Sequence, residues 1–559
     1  MKKIYLFIFS ILIFSFIHAQ WSPKNALPVA ALNSSDIVTK QTSSGKTFIA
    51  FYSQNAVTGN YDMRAQLLDF NGNRLFGDTG VLVSYRNSGS ATFVFNTCLD
   101  KDDNLIITFQ RQKGSGYDIV AYKIDSLGNS LWGKKGTGII LGSGLAPYPV
   151  ALSTNEVVVA WPDNNGGISY QKISEAGIAE WDSVKEFTSA HTVTRPQLVA
   201  QNNGTFGMVF QSVDFAPFYT HLYEQRFDNN GNALWASPVQ LSNYVTASYA
   251  YYSVIDDADT TYVGYYGNPP SQNSFNGFIQ RVNADGSLPW NINGTAFNDY
   301  SGIHQPFTFY VNIAHEHGMP NVWAVATTSD PNQFRYGISV QNISASTGAK
   351  LLDSFGKKLF GIDSVSNQVQ GTLSLCEHNP LFIFTNITNK LYAAALDKNG
   401  DFAWANKKVL VGKTINQKDR FALTKAFEHQ LIAVWQEDRG NGDMPYAQSI
   451  SCDGTAGANE FAATDISEKI KPTSTTVKVF PNPVKDLLTL NISSPAQDKI
   501  NIVITDLTGK MLRQQTANIF EGNNQVQINV NNFITGIYFI KTISTTGKET
   551  ILPQKFVKE

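Results

Sequence analysis

Eight times along the chain a strand-like run gives way to a glycine turn, in most copies followed about four residues later by an aromatic. The clearest copy is Phe227-Asp228-Asn229-Asn230-Gly231-Asn232-Ala233-Leu234-Trp235. Asn-Gly or Asp-Gly between apolar runs is a strong hairpin signal, because these residues accept the positive φ of a tight turn. The turn glycines are Gly72, Gly128, Gly177, Gly231, Gly286, Gly348, Gly400 and Gly454, at intervals of 49 to 62 residues. A near-constant period of this size marks stacked supersecondary units. The copies at Gly177 and Gly348 lack the acidic residue.

Each unit carries further strand signals. An apolar run ending in an aromatic, such as Thr47–Tyr52, Val157–Trp161 or Leu431–Trp435, precedes an alternating run such as Asp118–Ile124 or Leu222–Phe227. Another strand-like segment lies upstream, as Thr92–Cys98 does before Asp102-Asp103-Asn104. Four strands per unit of about 54 residues predict one blade of a β-propeller. The last unit ends at Cys452-Asp453-Gly454 without its returning aromatic strand, and Trp21-Ser22-Pro23 with Leu27-Pro28-Val29 resembles the missing piece. That predicts ring closure by the N-terminal strand and eight blades. Seven blades plus an irregular unit is the alternative, because the 49- and 62-residue intervals are uneven.

The 559 residues allow a second module beyond the repeats. Lys2 and Lys3, the apolar Ile4 to Ile17 and Ala19 form a signal peptide over residues 1–19. Its apolar run of about 14 residues is short of the roughly 20 that span a bilayer, so no transmembrane helix is expected in the mature chain. A net charge of -2 with scattered lysines and arginines gives no footprint for nucleic acid. Cys98, Cys376 and Cys452 are odd in number and far apart; they allow one disulfide, but three buried thiols are the expectation. The repeat domain is placed at 20–454. A small, polar stretch through Thr473-Ser474-Thr475-Thr476 reads as a linker over 455–476.

Residues 477–559 follow a different grammar, with short strands and turns at Thr508-Gly509-Lys510 and Thr546-Gly547-Lys548. They predict a small Ig-like β-sandwich, so the whole chain is expected to be all-β. Pro481-Asn482-Pro483, Asp506-Leu507-Thr508-Gly509-Lys510 and Gly536-Ile537-Tyr538-Phe539-Ile540-Lys541 stand in order before the closing Lys555-Phe556-Val557-Lys558. Over this stretch the chain resembles the type A C-terminal sorting domain of the type IX secretion system. The resemblance implies a Gram-negative source, passage through the periplasm, recognition by the outer-membrane translocon, and a cargo released or held at the cell surface.

No G-x-S-x-G, H-E-x-x-H, P-loop or dinucleotide motif is present. The repeat phrase resembles the Asp-box of sialidase-like propellers in residue order but not in spacing. Glu316-His317, Glu377-His378 and Glu428-His429 recur in the turn before the same strand of three units, and His315 adds a fourth imidazole. Imidazoles with carboxylates suit a transition metal, which makes His315, His317, His378 and His429 candidate ligands. Solvated turn chemistry is the simpler account of them, and neither a metal nor a cofactor is expected. Acidic turns at Asp100–Asp103 and Asp256–Asp259 lack the glycine register of a calcium loop. The expectation is a non-enzymatic adhesion or binding module for a glycan or a surface protein. A polysaccharide hydrolase or lyase is the competing class.

Overall fold

The computed structural model describes residues 21–22, 25–55, 57–85, 94–133, 138–215, 218–246, 253–257, 259–269, 275–300, 306–362, 367–457, 476–494, 496–519, 522–544 and 554–559. The signal peptide and most of the linker lie outside the described residues. Two compact units, Met1–Asn459 and Glu460–Glu559, make up the chain.

The repeated acid stops a strand. Asp228 Oδ1 accepts the backbone N–H of Asn230 at 2.9 Å and of Asn232 at 2.8 Å, and Asp69, Asp125 and Asp397 repeat the pattern. A side chain that satisfies two N–H groups makes the turn cheaper than further strand. In the copy at Gly177, Ser174 Oγ takes the N–H of Ile178 at 3.1 Å. The returning aromatic then closes on the next unit. Trp181 covers Gly231, where a Cβ would stand 2.8 Å from the indole and φ is +73°. Trp132 meets Gly177, Trp235 meets Gly286, Trp290 meets Gly348, Trp404 meets Gly454, and Trp21 meets Gly72 in the same way. Only glycine tolerates both that backbone and that approach.

A second repeated residue was not recognised from the sequence. Gln66, Gln171, Gln225, Gln280, Gln341 and Gln448 are buried three positions before the turn-forming residue. Each donates its Nε2 to a backbone carbonyl of the segment that returns to the sheet, as Gln225 does to Trp235 at 3.2 Å. These amides pay with two hydrogen bonds for their own burial.

Eight sheets result, each running antiparallel in chain order. Blades 1 to 7 span 34–85, 95–143, 148–187, 192–240, 245–296, 307–360 and 367–412. Blade 8 takes 418–451 and accepts Leu27–Pro28 as its outermost strand, with Leu27 opposite Ala447 and Pro28 opposite Tyr446. Eight apolar clusters each join two consecutive blades, the last joining blade 8 to blade 1 through Trp21, Val29, Ile432, Val434, Ile49 and Phe51. The first strand of each blade lies beside the first strand of the next, and Ser34–Gln41 meets Lys418–Leu423. The fold is an eight-bladed β-propeller. Apolar runs such as Thr47–Tyr52 are buried on both faces because a neighbouring blade covers each one.

The cysteines differ from expectation. Cys376 and Cys452 form a disulfide across 76 residues of sequence, with Cα atoms 5.9 Å apart, and only Cys98 is a free thiol. Ring packing brings the turn of blade 7 against the end of blade 8, which distance along the chain conceals. Burial pushes the Cys98 thiol up to about 12, with Lys40 opposing, so it is an inert apolar filler. A disulfide closing a loop of this length contributes about 4 kcal/mol by chain-entropy reasoning. Reduction, or a Cys376→Ser/Cys452→Ser double variant, is expected to lower the melting temperature of the secreted protein by several degrees. An unchanged melting curve would show that the bridge is energetically idle.

The second unit has two sheets. Thr476–Phe480, Leu487–Ser494 and Gly522–Asn529 form one; Met511–Ile519, Asp498–Thr505, Gly536–Ser544 and Gln554–Lys558 form the other. Alternating residues such as Ile500, Ile502 and Ile504 face Leu488, Leu490 and Ile492 in one shared core.

Candidate functional site

The innermost strands of several blades are interrupted at the same end of the ring. Register shifts fall between Ser35 and Ile37, Thr194 and Gln197, Phe309 and Asn312, Val369 and Leu373, and Asp419 and Ala422. The extra residues Asp36, Arg195, Tyr310 and Arg420 have φ of 51°, 54°, 53° and 52°. None is glycine, and such backbone costs about 1–3 kcal/mol per residue unless the surroundings impose it. An innermost strand has one edge without a neighbour in its sheet, and that edge faces the ring axis. A bulge there re-aims a side chain.

At the junction of blades 8 and 1, Arg420 Nε lies 2.7 Å from Asp36 Oδ1. Gln436 fixes the bulged backbone by accepting the Asp36 N–H at 3.1 Å and donating to Ser34 O at 3.3 Å. Although Asp419 is exposed, desolvation by the surrounding blades lifts its pKa, with Arg420 opposing and Asp443 and Asp36 adding to the rise. Behind this pair, Lys418 and Glu437 have wholly buried side chains 3.4 Å apart. Lys418 Nζ donates to the carbonyls of Asn389, Thr414 and Asn416 at 2.8–3.0 Å. Glu437 accepts from Trp435 Nε1 at 3.0 Å, from Arg439 at 3.1 Å and from Thr414.

Blade 4 supplies a different set. His191, just before the innermost strand, has its Nδ1 on Asp214 Oδ2. His221 is buried on the third strand of that blade, opposite Ser212. Burial lowers the His221 pKa, a backbone contact with Asn243 opposes this, and the nearby His191 lowers it further. A neutral imidazole thus stands near one oriented by a carboxylate, on the same blade as the exposed Arg195. Sequence reading missed all of these residues. Pro196 was the available signal, because proline inside a strand marks a bulge or an edge.

The histidines singled out from sequence lie at the opposite end, in the turns between first and second strands. His378 Nδ1 is 2.9 Å from Glu316 Oε2, and His429 Nδ1 is 2.7 Å from Glu377 Oε1. Each imidazole therefore meets the carboxylate of the preceding blade, and the pairs bridge blades 6 to 7 and 7 to 8. His315 is buried, with Nδ1 2.9 Å from Asn321 O and its ring 4.7 Å from that of Tyr262. His317 lines a cleft at the same end. Among the described residues, no three His, Cys, Asp or Glu side chains converge as a metal would require. Asp100 is buried and paired at 2.6 Å with Lys123, while Asp259 accepts the Asn202 N–H at 2.8 Å. The side chains of Asp256 and Asp257 lie outside the described residues.

In the second unit the motif residues brace the C-terminal strand. Asn482 Oδ1 accepts the Val557 N–H at 2.9 Å, and Asn482 Nδ2 donates to Lys555 O at 3.2 Å, between Pro481 and Pro483. Asp506 caps its turn by accepting from Thr508 at 2.9 Å and Lys510 at 3.1 Å around Gly509. Gly536 opens the strand that carries Tyr538, whose hydroxyl donates to Ile534 O at 2.5 Å and whose ring stacks on Phe556. No helix among the described residues is long and apolar enough to cross a membrane.

No curated protein matches the chain. Among solved structures, it is similar to the polysaccharide lyase Uly1 (TM-score 0.41, 10% identity, 68% of this chain and 95% of that one). A PL25 ulvan lyase bound to a sulfated disaccharide repeat gives TM-score 0.40 and 10% identity over 78% and 98% of the two chains. The β-propeller domain of the trilobed protease from Pyrococcus furiosus gives TM-score 0.37 and 7% identity over 79% and 99%. The model of the secretion system C-terminal sorting domain matches residues 478–559. This stretch sends the protein out through the type IX secretion system, to be secreted or attached to the cell surface. Residues 478–559 are thus a secretion system C-terminal sorting domain.

Proposed function

We propose that the propeller, residues 20–454, is an exported binding module that holds an acidic glycan at its bulged end, while residues 477–559 carry the address. The bulges at Asp36, Arg195, Tyr310 and Arg420 carry this reading, because blade packing alone has no need of four non-glycine residues at positive φ. Arginine forks match carboxylate or sulfate groups, and a tyrosine ring stacks on a sugar face. The test is calorimetric titration of the mature secreted protein with a polyuronate and with a neutral glucan. The acidic polymer should bind and the neutral one should not. Arg195→Ala and Arg420→Ala should each weaken binding about tenfold, the loss of one charge-assisted contact. Equal binding of both polymers, or no change in either variant, would sink the reading.

A second reading, cleavage of the bound polymer, is favoured by His191, Asp214 and His221. Proton abstraction next to a uronate carboxylate needs a neutral base and a cation on the carboxylate, and blade 4 offers both types of group. Release of reducing or unsaturated ends, lost in His221→Ala, would establish it. Silence in that assay leaves binding alone.

A further inference from the structure

Between blades 6 and 7, at the end opposite the bulges, lies a cleft of about 430 Å³. We propose that it is a second, independent site that takes a single acidic sugar of hexuronate size. Its base is amphipathic. Trp323 and Asn342 are nearly fully buried, and Asn321 Nδ2 donates to Asn342 Oδ1 at 2.7 Å, which fixes both amides. Its mouth is basic, with His317, His378 and Lys398 among its lining. No aspartate or glutamate is among the described lining residues. Glu316 is hydrogen-bonded to His378 Nδ1, which leaves Nε2 as the imidazole nitrogen able to meet a ligand hydroxyl.

These features select one chemistry. An apolar wall with fixed amides suits a sugar ring and its hydroxyls, whereas Lys398, in a lining with no aspartate or glutamate among its described residues, suits one negative charge. The volume lies within the range of small-molecule pockets and is far too small for a polymer strand to thread. The sequence reading treated Glu316-His317 and Glu377-His378 as possible metal ligands. The place of His317 and His378 in this lining gives them another role, with Glu316 orienting the His378 imidazole.

The test titrates the mature full-length protein with sodium glucuronate, glucose and inorganic phosphate, followed by NMR or calorimetry. Glucuronate should bind saturably with one site, and glucose should bind about tenfold more weakly. Lys398→Ala should weaken glucuronate about tenfold. Leu351→Trp, at a half-exposed position in the lining, should block the site without touching the core. Leu351→Trp should lose glucuronate while keeping its affinity for the polyuronate, which separates the cleft from the bulged end. No saturable glucuronate binding, or binding indifferent to both cleft variants, would overturn the proposal. Phosphate bound as tightly as glucuronate would overturn its sugar component.

Discussion

A mature chain that begins after Ala30 is expected to be secreted poorly and to aggregate when purified. Without Leu27–Pro28, the strand Asp443–Ser451 of blade 8 presents a row of unpaired backbone groups, a template for another chain. Loss of Trp21 opens the cluster between blades 8 and 1, where the indole covers Gly72 and its Nε1 donates to Phe70 O at 2.9 Å. Trp21→Ala alone should cost about 3–5 kcal/mol, as large-to-small changes in cores do. It should therefore melt several degrees lower while remaining monomeric. The truncated chain should run as high-mass species in size-exclusion chromatography. A monomeric, normally melting truncation would mean that the ring holds without its N-terminal strand.

Glu437→Gln is expected to be the most damaging single exchange that changes almost no volume. The carboxylate neutralises Lys418, whose side chain has no exposed surface, and removing one partner of a buried pair costs about 3–5 kcal/mol. Burial pushes the Glu437 carboxyl up, but hydrogen bonds from Thr414, Trp435 and Arg439 and the Lys418 charge outweigh this and hold it below the ordinary carboxylate range. A group with a depressed folded pKa stabilises fully above its unfolded value of 4.5 and stops doing so as pH falls through the folded value. Wild type should lose stability as the pH drops below about 4.5, and Glu437→Gln should lack that part of the acid slope. Lys418→Met should behave differently from Glu437→Gln. It leaves the buried anion with Arg439, Trp435 and Thr414 as partners, so its loss should be smaller. Thermal melts of the three proteins from pH 3 to 8 check the ranking, and identical acid slopes would remove Glu437 from the account.

Most of the propeller was legible because its instructions are local. Asp228 and Gly231 encode a turn wherever they occur, and Trp235 four residues later encodes a packed return. The incomplete phrase at Gly454 and the matching Trp21 could be joined on residue types alone. The buried glutamines were equally periodic, but an amide in a strand reads as solvent-facing until the sheet around it is known. The disulfide was illegible for a different reason. Cys376 and Cys452 meet only because blade 7 packs on blade 8, and nothing in either local segment encodes that.

The candidate site divides along the same line. The sequence picked out Glu316-His317, Glu377-His378 and Glu428-His429 because they repeat, and the structure turns them into successive bridges between blades. Residues at the bulged end do not repeat, so no period pointed to them.

By itself the sequence determined the signals for the repeat, the turn chemistry, the two-module organisation and the export address, since each rests on side chains acting on their own backbone or on a contiguous motif. Only the tertiary structure decided which strand lies innermost, where that strand bulges, and which charges meet across blades. Those contacts join residues far apart in the chain, from Glu377 and His429 in neighbouring blades to Asp36 and Arg420 across the ring closure. Their energies depend on burial and orientation, which exist only once the ring has closed.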